Sequence, residues 1–482
     1  MSLSETLYWH DYETSGAEPA RDRPWQFAGV RTNRDLEIIG TPLVQFAQPT
    51  PEVLPHPAAV RITGITPQQA LAKGVPEREF IAAIHAELAR PKTCGVGYNS
   101  IAFDDEVTRF TLWRNFYDPY RRESAQGNSR WDLIDVARAC YALRPEGVNW
   151  PTRDDGLPSF RLEDLTAANG IEHGAAHDAL ADVQATIEIA RRIRAAQPAL
   201  FETLYAQRLP RALSPLIDVE RMKPLIHVSA FYGAANGNVA MVAPVAPHPL
   251  FKNAYIFIDL SRSIESLDWD GDTVRERMYA KKDELPEGVS RPNLMTIRLN
   301  RAPALLPADW LNPERAARLG LDGEAMRGTL ADIRARRDAA ADVFRSQVQG
   351  PFKERDRPAA PAAEEALYEG FIDNGDRDLC DAVRDASAEE LKARLWPFRD
   401  ERMKALLFRY RACNYPDSLS TQEQQQWLEL CRDRWGQNGY GFNLAQFEIE
   451  MAEERARGGL NATEHDALDA LQNYVLDLSG RP

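Results

Sequence analysis

Cysteine is sparse in this sequence, and its placement argues against two kinds of architecture. The 482 residues include five cysteines, an odd number, with no C-x-x-C pair. A disulfide framework is typically an even set of cysteines in a short secreted chain, and a cysteine-based zinc site typically contains closely spaced pairs. The sequence therefore indicates neither, and it fits a reducing compartment. The five positions are Cys94, Cys140, Cys380, Cys413 and Cys431.

Long apolar runs and a secretion signal are also missing from the sequence. No run approaches the roughly 20 apolar residues that a membrane-spanning helix needs. The first residues, MSLSETLYWHD, contain neither a basic segment nor an apolar core. We therefore expect a cytoplasmic protein that does not associate with a membrane.

The size and composition are those of a globular protein with more than one domain. A hydrophobic content of 44% and a charged content of 27% are typical of folded chains. A chain of 482 residues is too long to fold around one hydrophobic core, so two or three domains are expected. The net charge is −14. Because an acidic surface repels nucleic acid at long range, any nucleic-acid binding must depend on locally concentrated basic residues.

The hydrophobic pattern divides the chain into three units and a linker. Strands followed by alternating strands and helices predict an α/β domain with a mixed sheet over residues 5–195. Residues 198–350 are predicted to be β-rich, and residues 351–365 read as a linker without periodicity. Residues 366–482 are predicted to be helical, with S/T-x-x-E capping boxes that begin at Ser387 and Ser420.

Two carboxylates one residue apart raise the first functional question. Asp11 and Glu13 lie in TLYWHDYE, a predicted strand, so their side chains point to the same face and repel each other. Taken alone, they could be the solvated end of a strand. Asp104 lies at a predicted strand–helix junction, Asp182 in the first turns of a long helix, and His177 just before that helix. Each alone has an ordinary explanation as a helix cap or a helix-start charge.

Together, these residues predict a metal-dependent active site. Carboxylates from a strand and two helices can converge on two hard divalent cations, which prefer oxygen ligands. Two such cations support in-line displacement at phosphorus. His177 lies five residues before Asp182, and an ordinary histidine pKa suits a general base.

The motifs HDYET, ITGIT, YNSIAFDDEV and HDALAD, in this order, resemble those of the DEDDh 3′→5′ exonucleases, which have a ribonuclease-H-like fold. The resemblance implies that Asp11, Glu13, Asp104 and Asp182 bind metal, and that His177 and Glu13 act in catalysis. The neighbouring acids Asp105, Asp135 and Asp178 do not fall on ligand positions. We interpret these three as surface groups or as groups behind the ligands.

Further segments resemble the bacterial exodeoxyribonuclease I family: NSRWDLIDVARACYALRPEGVNWP, DDGLPSFRLEDLTAANGIEH and LIDVERMKPLIHVS. This resemblance implies an exonuclease domain followed by an SH3-like β-rich domain and an α-helical C-terminal domain. It also implies 3′→5′ degradation of single-stranded DNA to 5′-mononucleotides, with two Mg²⁺ ions per site and Mn²⁺ as a substitute. A role in DNA repair and recombination, a monomeric state and binding to the C-terminal tail of single-stranded DNA-binding protein follow from the same resemblance.

One segment has the locally concentrated basic residues that nucleic-acid binding requires in a chain of acidic net charge. Residues 108–122 contain four arginines and one acid, interleaved with aromatic residues. Cations for phosphates and rings for bases suit sequence-tolerant single-strand binding. We expect Phe110, Trp113 and Phe116 to be core residues because of their helical spacing. The predicted DNA contacts are Arg109, Tyr120, Arg138, Arg144 and Arg161, with Arg161 at the terminal phosphate.

Two alternatives remain open at the level of sequence. The same chemistry could act on RNA, because nothing in the sequence shows whether a 2′-hydroxyl is accepted. The protein could also be a catalytically silent single-strand-binding scaffold. The intact set of four acids and His177 counts against this second alternative.

Overall fold

The computed structural model describes residues 4–172, 174, 178–280, 284–286, 288–289, 291–354, 362–436 and 441–480. His177 lies outside these residues. None of the helices in the described ranges is both long and apolar enough to cross a membrane.

The first part of the chain forms a mixed sheet, as the sequence predicts. The order of its first four strands is β3-β2-β1-β4, in which β1 pairs antiparallel with β2 and parallel with β4. Asp11 lies opposite Ala28, and Glu13 lies opposite Gln26. The strands are β1 (Thr6–Thr14), β2 (Pro24–Thr32), β3 (Leu43–Phe46) and β4 (Thr93–Gly97).

Helices pack against this sheet through a shared hydrophobic core. An apolar stripe of Phe80, Ile84 and Leu88 is buried, together with Tyr12 and Phe27 from the strands. The helices of this region are α1 (Pro57–Thr63), α2 (Pro67–Lys73), α3 (Glu77–Leu88), α4 (Asp104–Arg114) and α5 (Arg121–Ser124).

The middle of the chain continues with a strand, β5 (Ser129–Asp132), and five helices before a second sheet. These helices are α6 (Leu133–Leu143), α7 (Leu162–Ala168), α8 (Ala179–Ala196), α9 (Pro198–Gln207) and α10 (Pro210–Leu213). The long helix predicted around Asp182 is therefore confirmed.

The second sheet is antiparallel throughout, in the order β10-β6-β7-β8-β9. Helices α9 and α10 precede this sheet, and three further helices follow it. The region that the sequence predicts to be β-rich, residues 198–350, is therefore helical at both ends. The strands are β6 (Leu225–Val228), β7 (Val239–Pro247), β8 (Ala254–Asp259), β9 (Leu294–Arg298) and β10 (Ala304–Pro307). The helices are α11 (Gly271–Tyr279), α12 (Pro313–Arg318), α13 (Gly323–Ala339) and α14 (Ala341–Gln349).

The described C-terminal region is helical, and its helix starts follow the predicted capping boxes. Ser387 accepts from the backbone N–H of Glu390, and Ser420 does the same with Glu423. The helices are α15 (Asn374–Asp385), α16 (Ala388–Ala393), α17 (Glu401–Asn414), α18 (Thr421–Trp435), α19 (Leu444–Ala456) and α20 (Ala462–Ser479).

The chain folds into two compact units. One comprises residues 1–129, 173–187 and 358–482, and the other comprises residues 130–172 and 188–357. The C-terminal helices therefore belong to the same unit as the first sheet. Two apolar clusters join the C-terminal helices to the first domain. In the first cluster, Trp25, Leu54 and Val60 pack with Trp427 and Leu471, among others. Phe110, Trp113 and Phe116 pack with Leu367, Val383 and Tyr410, which confirms that these three aromatic residues are core.

Buried ion pairs reinforce this joint within the first unit. Glu52 accepts from Arg23 Nη2 at 3.2 Å and also from Arg409 of α17. Burial opposes ionisation of Glu52, but the guanidinium groups of Arg409 and Arg23 hold its pKa well below the usual range. Arg434 of α18 pairs with Glu364 at 2.5 Å. Each of these buried carboxylates thus pairs with an arginine, and two of the pairs join segments that are far apart in sequence.

A second polar joint lies at the start of α1. His56 precedes this helix, and its side chain does not cap it. Glu450 of α19 supplies the cap instead, because its Oε1 accepts from the backbone N–H of Ala58 at 3.0 Å. Glu450 Oε2 lies 3.0 Å from His56 Nδ1, and Asp22 Oδ1 lies 3.8 Å from His56 Nε2.

Candidate active site

Three of the four predicted metal ligands converge in the structure. Strand β1 carries Asp11 and Glu13, and Asp182 lies in the first turn of α8. One carboxylate oxygen from each lies within 4.8 Å of the others. Glu13 is buried, while Asp11 and Asp182 are partly exposed, so the cluster is reachable from solvent. The alternation of strand side chains places the first two acids together, as predicted.

The fourth predicted ligand, Asp104, is the first residue of α4 and lies beside this cluster. Its Oδ1 accepts from the backbone N–H of Tyr12 at 3.1 Å, and Tyr12 is the residue between Asp11 and Glu13. The hydroxyl groups of Tyr12 and Thr108 are 2.9 Å apart, and Thr108 donates to the carbonyl oxygen of Asp104 at 2.8 Å. Tyr12 therefore fastens the first turn of α4 to β1, a role that its sequence position alone does not reveal.

Two carboxyl groups of the cluster have pKa values above their usual ranges. Burial, followed by the charges of Asp104, Glu13 and Asp182, holds the pKa of Asp11 well above its usual range. Burial and the charges of Asp182 and Asp104 raise the pKa of Glu13 to about 9. The raised pKa values of Asp11 and Glu13 show that these two carboxyl groups need nearby positive charge to ionise together. An all-carboxylate set of this kind fits a hard divalent cation such as Mg²⁺ or Mn²⁺.

The neighbouring acids take other roles. Asp178 accepts from Gln26 Nε2 at 3.1 Å and from the backbone N–H of Leu180 at 3.2 Å, so it caps α8. Asp135 pairs with Arg138 at 2.8 Å. Of the two interpretations offered for Asp105, burial excludes a surface group and fits a group behind the ligands: it is 1% exposed and pairs with Arg122 at 2.6 Å.

The predicted DNA contacts in the first unit are Arg109 and Tyr120. Arg109 is 6% exposed and donates to Glu106 at 2.9 Å, to the Tyr368 hydroxyl at 3.1 Å, and to Glu123. These bonds give Arg109 a structural role. The number of basic residues in a segment does not show which of them are buried, so the sequence did not indicate this role. Tyr120 is partly exposed, with its ring 5.4 Å from the Arg109 guanidinium.

The remaining predicted contacts lie in the second unit. Arg161 precedes α7 and is exposed to solvent. Arg138 lies 6.0 Å from the Phe160 ring. Arg144 lies 5.5 Å from the Trp310 ring and donates to the Trp310 carbonyl oxygen at 2.8 Å. The structure thus places cations beside aromatic rings at two of these positions, and their contact with DNA stays a prediction.

Comparison with known proteins assigns the chain to a family. The description "Exonuclease" matches residues 8–190, "Exonuclease I SH3-like domain" residues 208–353, and "Exonuclease I C-terminal domain" residues 361–478. Exodeoxyribonuclease I of Escherichia coli K12 is 46% identical over 479 residues, which is 98% of each chain. The Haemophilus influenzae enzyme is 43% identical over 98% of this chain and 99% of its own. The chain belongs to the exodeoxyribonuclease I family.

Solved structures of exodeoxyribonuclease I agree with this assignment. E. coli Exonuclease I in complex with a dA16 oligonucleotide has a TM-score of 0.93 and 44% identity, over 98% of this chain and 100% of that one. The zinc-bound E. coli ExoI–ssDNA complex also scores 0.93, at 43% identity, over 99% and 100% of the two chains. A complex of SSB and Exonuclease I with the inhibitor CFAM scores 0.89, at 43% identity, over the same shares.

Family membership confirms the predicted fold and chemical class. The exodeoxyribonuclease I family combines a mixed-sheet exonuclease domain, an SH3-like domain and a helical C-terminal domain, as predicted from the sequence. The chain is a hydrolytic exonuclease that depends on a divalent metal.

Proposed function

We propose that this protein degrades single-stranded DNA from the 3′ end to 5′-mononucleotides, using two Mg²⁺ ions held by Asp11, Glu13, Asp104 and Asp182. The observation that carries the proposal is the convergence of Asp11, Glu13 and Asp182 oxygens within 4.8 Å, with Asp104 fastened next to them. The oligonucleotide bound to a structure with a TM-score of 0.93 supports DNA as the substrate.

The chain's own residues set up the hydrolysis in three ways. Asp11 and Glu13 lie on one face of β1 and are both paired with β2, which holds the backbone that carries their carboxylates. Asp104 and Asp182 come from the starts of two helices, which brings four negative charges to one place. When bound, divalent cations supply the charge that activates the attacking water and stabilises the departing oxygen.

His177 is proposed as the general base that takes the proton from that water. It lies one residue before Asp178, the residue that caps α8, and five before the ligand Asp182. A general base typically contributes about 10²–10⁴-fold to a rate.

Exposed Arg161 is proposed to hold the terminal phosphate, with Arg138, Arg144 and Tyr120 as further contacts to the strand. Each lost phosphate contact lowers the slope of log affinity against log salt by about 0.7 for single strands. Arg161→Ala should show this smaller slope, with exposed Arg318→Ala as the control. An unchanged slope would remove Arg161 from the binding path.

Single-stranded DNA-binding protein is proposed as a protein partner through its C-terminal tail. The solved complex of SSB and Exonuclease I supports this partner. We also propose that the enzyme is a cytoplasmic monomer that acts in DNA repair and recombination, as its family resemblance implies.

A degradation assay on end-labelled oligonucleotides tests the main proposal. Single-stranded DNA labelled at the 5′ end should shorten progressively with Mg²⁺ and remain intact with a chelator. Asp182→Ala should abolish cleavage, whereas Asp155→Ala, at an exposed turn, should leave it unchanged. Preferential cleavage of RNA would favour the exoribonuclease alternative. Binding without cleavage by the wild-type protein would favour the silent scaffold.

A further inference from the structure

Two aspartates stand side by side at the start of α4, and they have different surroundings. Successive side chains of a helix point roughly 100° apart, so the two carboxylates cannot share one direction. Asp104 accepts from the Tyr12 N–H beside the ligands of β1. Asp105 is buried, with its Oδ1 2.6 Å from Arg122 Nη2. The direction in which Asp105 is held therefore determines the rotation of the turn that carries Asp104.

The pair between Asp105 and Arg122 is well suited to fix that rotation. Both side chains are 1% exposed, so water does not compete for the interaction. A hydrogen bond between two charged groups at this distance is short and strong, and removing one partner takes away much of the compensation of the other buried charge. The ion pair thus holds the first turn of α4 against α5 more firmly than an exposed pair could.

Arg122 is itself anchored to the sheet. Its carbonyl oxygen accepts from Asn128 Nδ2 at 2.9 Å. The same amide group donates to the Leu88 carbonyl at 3.2 Å, and its oxygen accepts from the backbone N–H of Thr93 at 3.0 Å. Thr93 begins β4, which pairs with β1, the strand of Asp11 and Glu13. A continuous series of bonds therefore runs from the sheet through Arg122 to the first turn of α4.

We infer that Arg122 is a positioning residue of the metal centre, which acts through Asp105 to hold the Asp104 carboxylate beside the other three ligands. The inference rests on the proposed function, because it requires that Asp104 bind a metal ion. Arg122 has no ligand role of its own. Its pairing with Asp105 also explains why the second of the two adjacent aspartates is not the ligand.

The test measures Mn²⁺ binding to the full chain by isothermal titration calorimetry, without DNA. Arg122→Met removes the guanidinium and keeps a long apolar side chain. The matched control is Arg114→Met, because Arg114 is fully buried near the other end of α4 and pairs with Glu77 at 3.2 Å. Loss of a partner behind a ligand typically weakens metal binding by about 10–100-fold. We expect a change of this size for Arg122→Met and wild-type affinity for Arg114→Met.

A kinetic measurement separates positioning from general loss of stability. The Mg²⁺ concentration for half-maximal rate should rise in Arg122→Met, and saturating Mg²⁺ should restore much of kcat, whereas KM for DNA should not change. Arg122→Lys, which keeps the charge, should recover part of the metal affinity.

Equal Mn²⁺ affinity in Arg122→Met and Arg114→Met would overturn the inference. If Arg122→Met does not fold, Arg122→Lys and Arg114→Lys are compared on the same criterion. If the wild-type protein binds no Mn²⁺ at this site, the proposed function fails rather than the role of Arg122 alone.

Discussion

Glu13 illustrates how a site built for a cation destabilises the protein that carries it. Its carboxyl group is buried among like charges, and its pKa is about 9 rather than the ordinary 4.5. Between these two values the folded protein retains a proton that the unfolded chain has lost. The metal-free protein must therefore lose stability as pH rises through this interval.

Glu13→Gln should remove this loss, since glutamine does not ionise. Between pH 5 and pH 9, the metal-free wild type should lose at least about 1.4 kcal/mol of unfolding free energy relative to the variant, the equivalent of one pKa unit. Urea denaturation in the presence of a chelator, at a series of pH values, measures the difference. Parallel pH profiles for the two proteins would contradict the raised pKa of Glu13.

His177→Ala should reduce the rate of cleavage by about 10²–10⁴-fold, since it removes the proposed general base. Binding of single-stranded DNA and of Mn²⁺ should survive, because the four carboxylates remain. The pH–rate profile of the wild type should contain a limb that the variant lacks. An unchanged limb and rate in the variant would assign the base to another group.

At the residue scale, the sequence predicts which acids lie together, but it does not show which arginines are buried. The four acids follow from strand alternation and motif spacing, and three of them converge as expected. Arg109 was predicted from its basic and aromatic neighbourhood, yet it pairs with Glu106 and Glu123 inside the fold. A count of charges cannot separate a cation that faces a phosphate from one that already has carboxylates.

At the scale of elements, the start of α1 depends on another helix. Glu450 of α19 caps the helix and also contacts His56, while Asp22 lies on the other side of the imidazole. Burial opposes protonation of His56, but the hydrogen bond that it donates to Glu450 and the charge of Asp22 raise its pKa above the usual 6.5. The protonated imidazole thus links the two helices.

His56→Gln should destabilise the protein more at pH 6 than at pH 9. A raised folded-state pKa gives stability that is present below the unfolded pKa and is lost as pH rises through the folded value. Thermal unfolding of variant and wild type at both pH values measures this, with exposed His465→Gln as the control. A difference in melting temperature that does not change with pH would show that His56 acts only by packing.

Helix starts show which elements a sequence can predict. The boxes at Ser387 and Ser420 were predicted and are confirmed, because cap and partner lie three residues apart. The boxes at Asn443 and Asn461 carry the same kind of signal with asparagine and were missed. The cap of α1 could not be predicted, since its acceptor lies almost 400 residues further along the chain.

At the scale of the whole molecule, the first sheet and the C-terminal helices belong to one compact unit. Trp25, Leu54 and Val60 are covered by residues beyond position 400. Glu52 likewise needs Arg409 of α17 to complete its pairing. Sequence patterns mark each part as a domain, but the interface between them depends on contacts that no local pattern reports.

A chain that ends at residue 197 should therefore fail to fold, although it contains every proposed ligand. It would expose both apolar clusters and leave Glu52 with only part of its compensating charge. Solubility, circular dichroism and Mn²⁺ binding measure the outcome against the full chain. A soluble fragment that binds Mn²⁺ as the full chain does would show that the first domain is independent.

The late position of Arg409 and Trp427 also has a consequence for the timing of synthesis. The ribosome adds roughly 5–20 residues per second, so tens of seconds pass between the emergence of Asp182 and that of α18. During this time the nascent chain holds all four ligands but not the core that supports them. We expect chains stalled on the ribosome before residue 400 to show no nuclease activity, and chains released after residue 480 to be active. Synthesis of the C-terminal helices would then be the step that switches on a DNA-degrading enzyme.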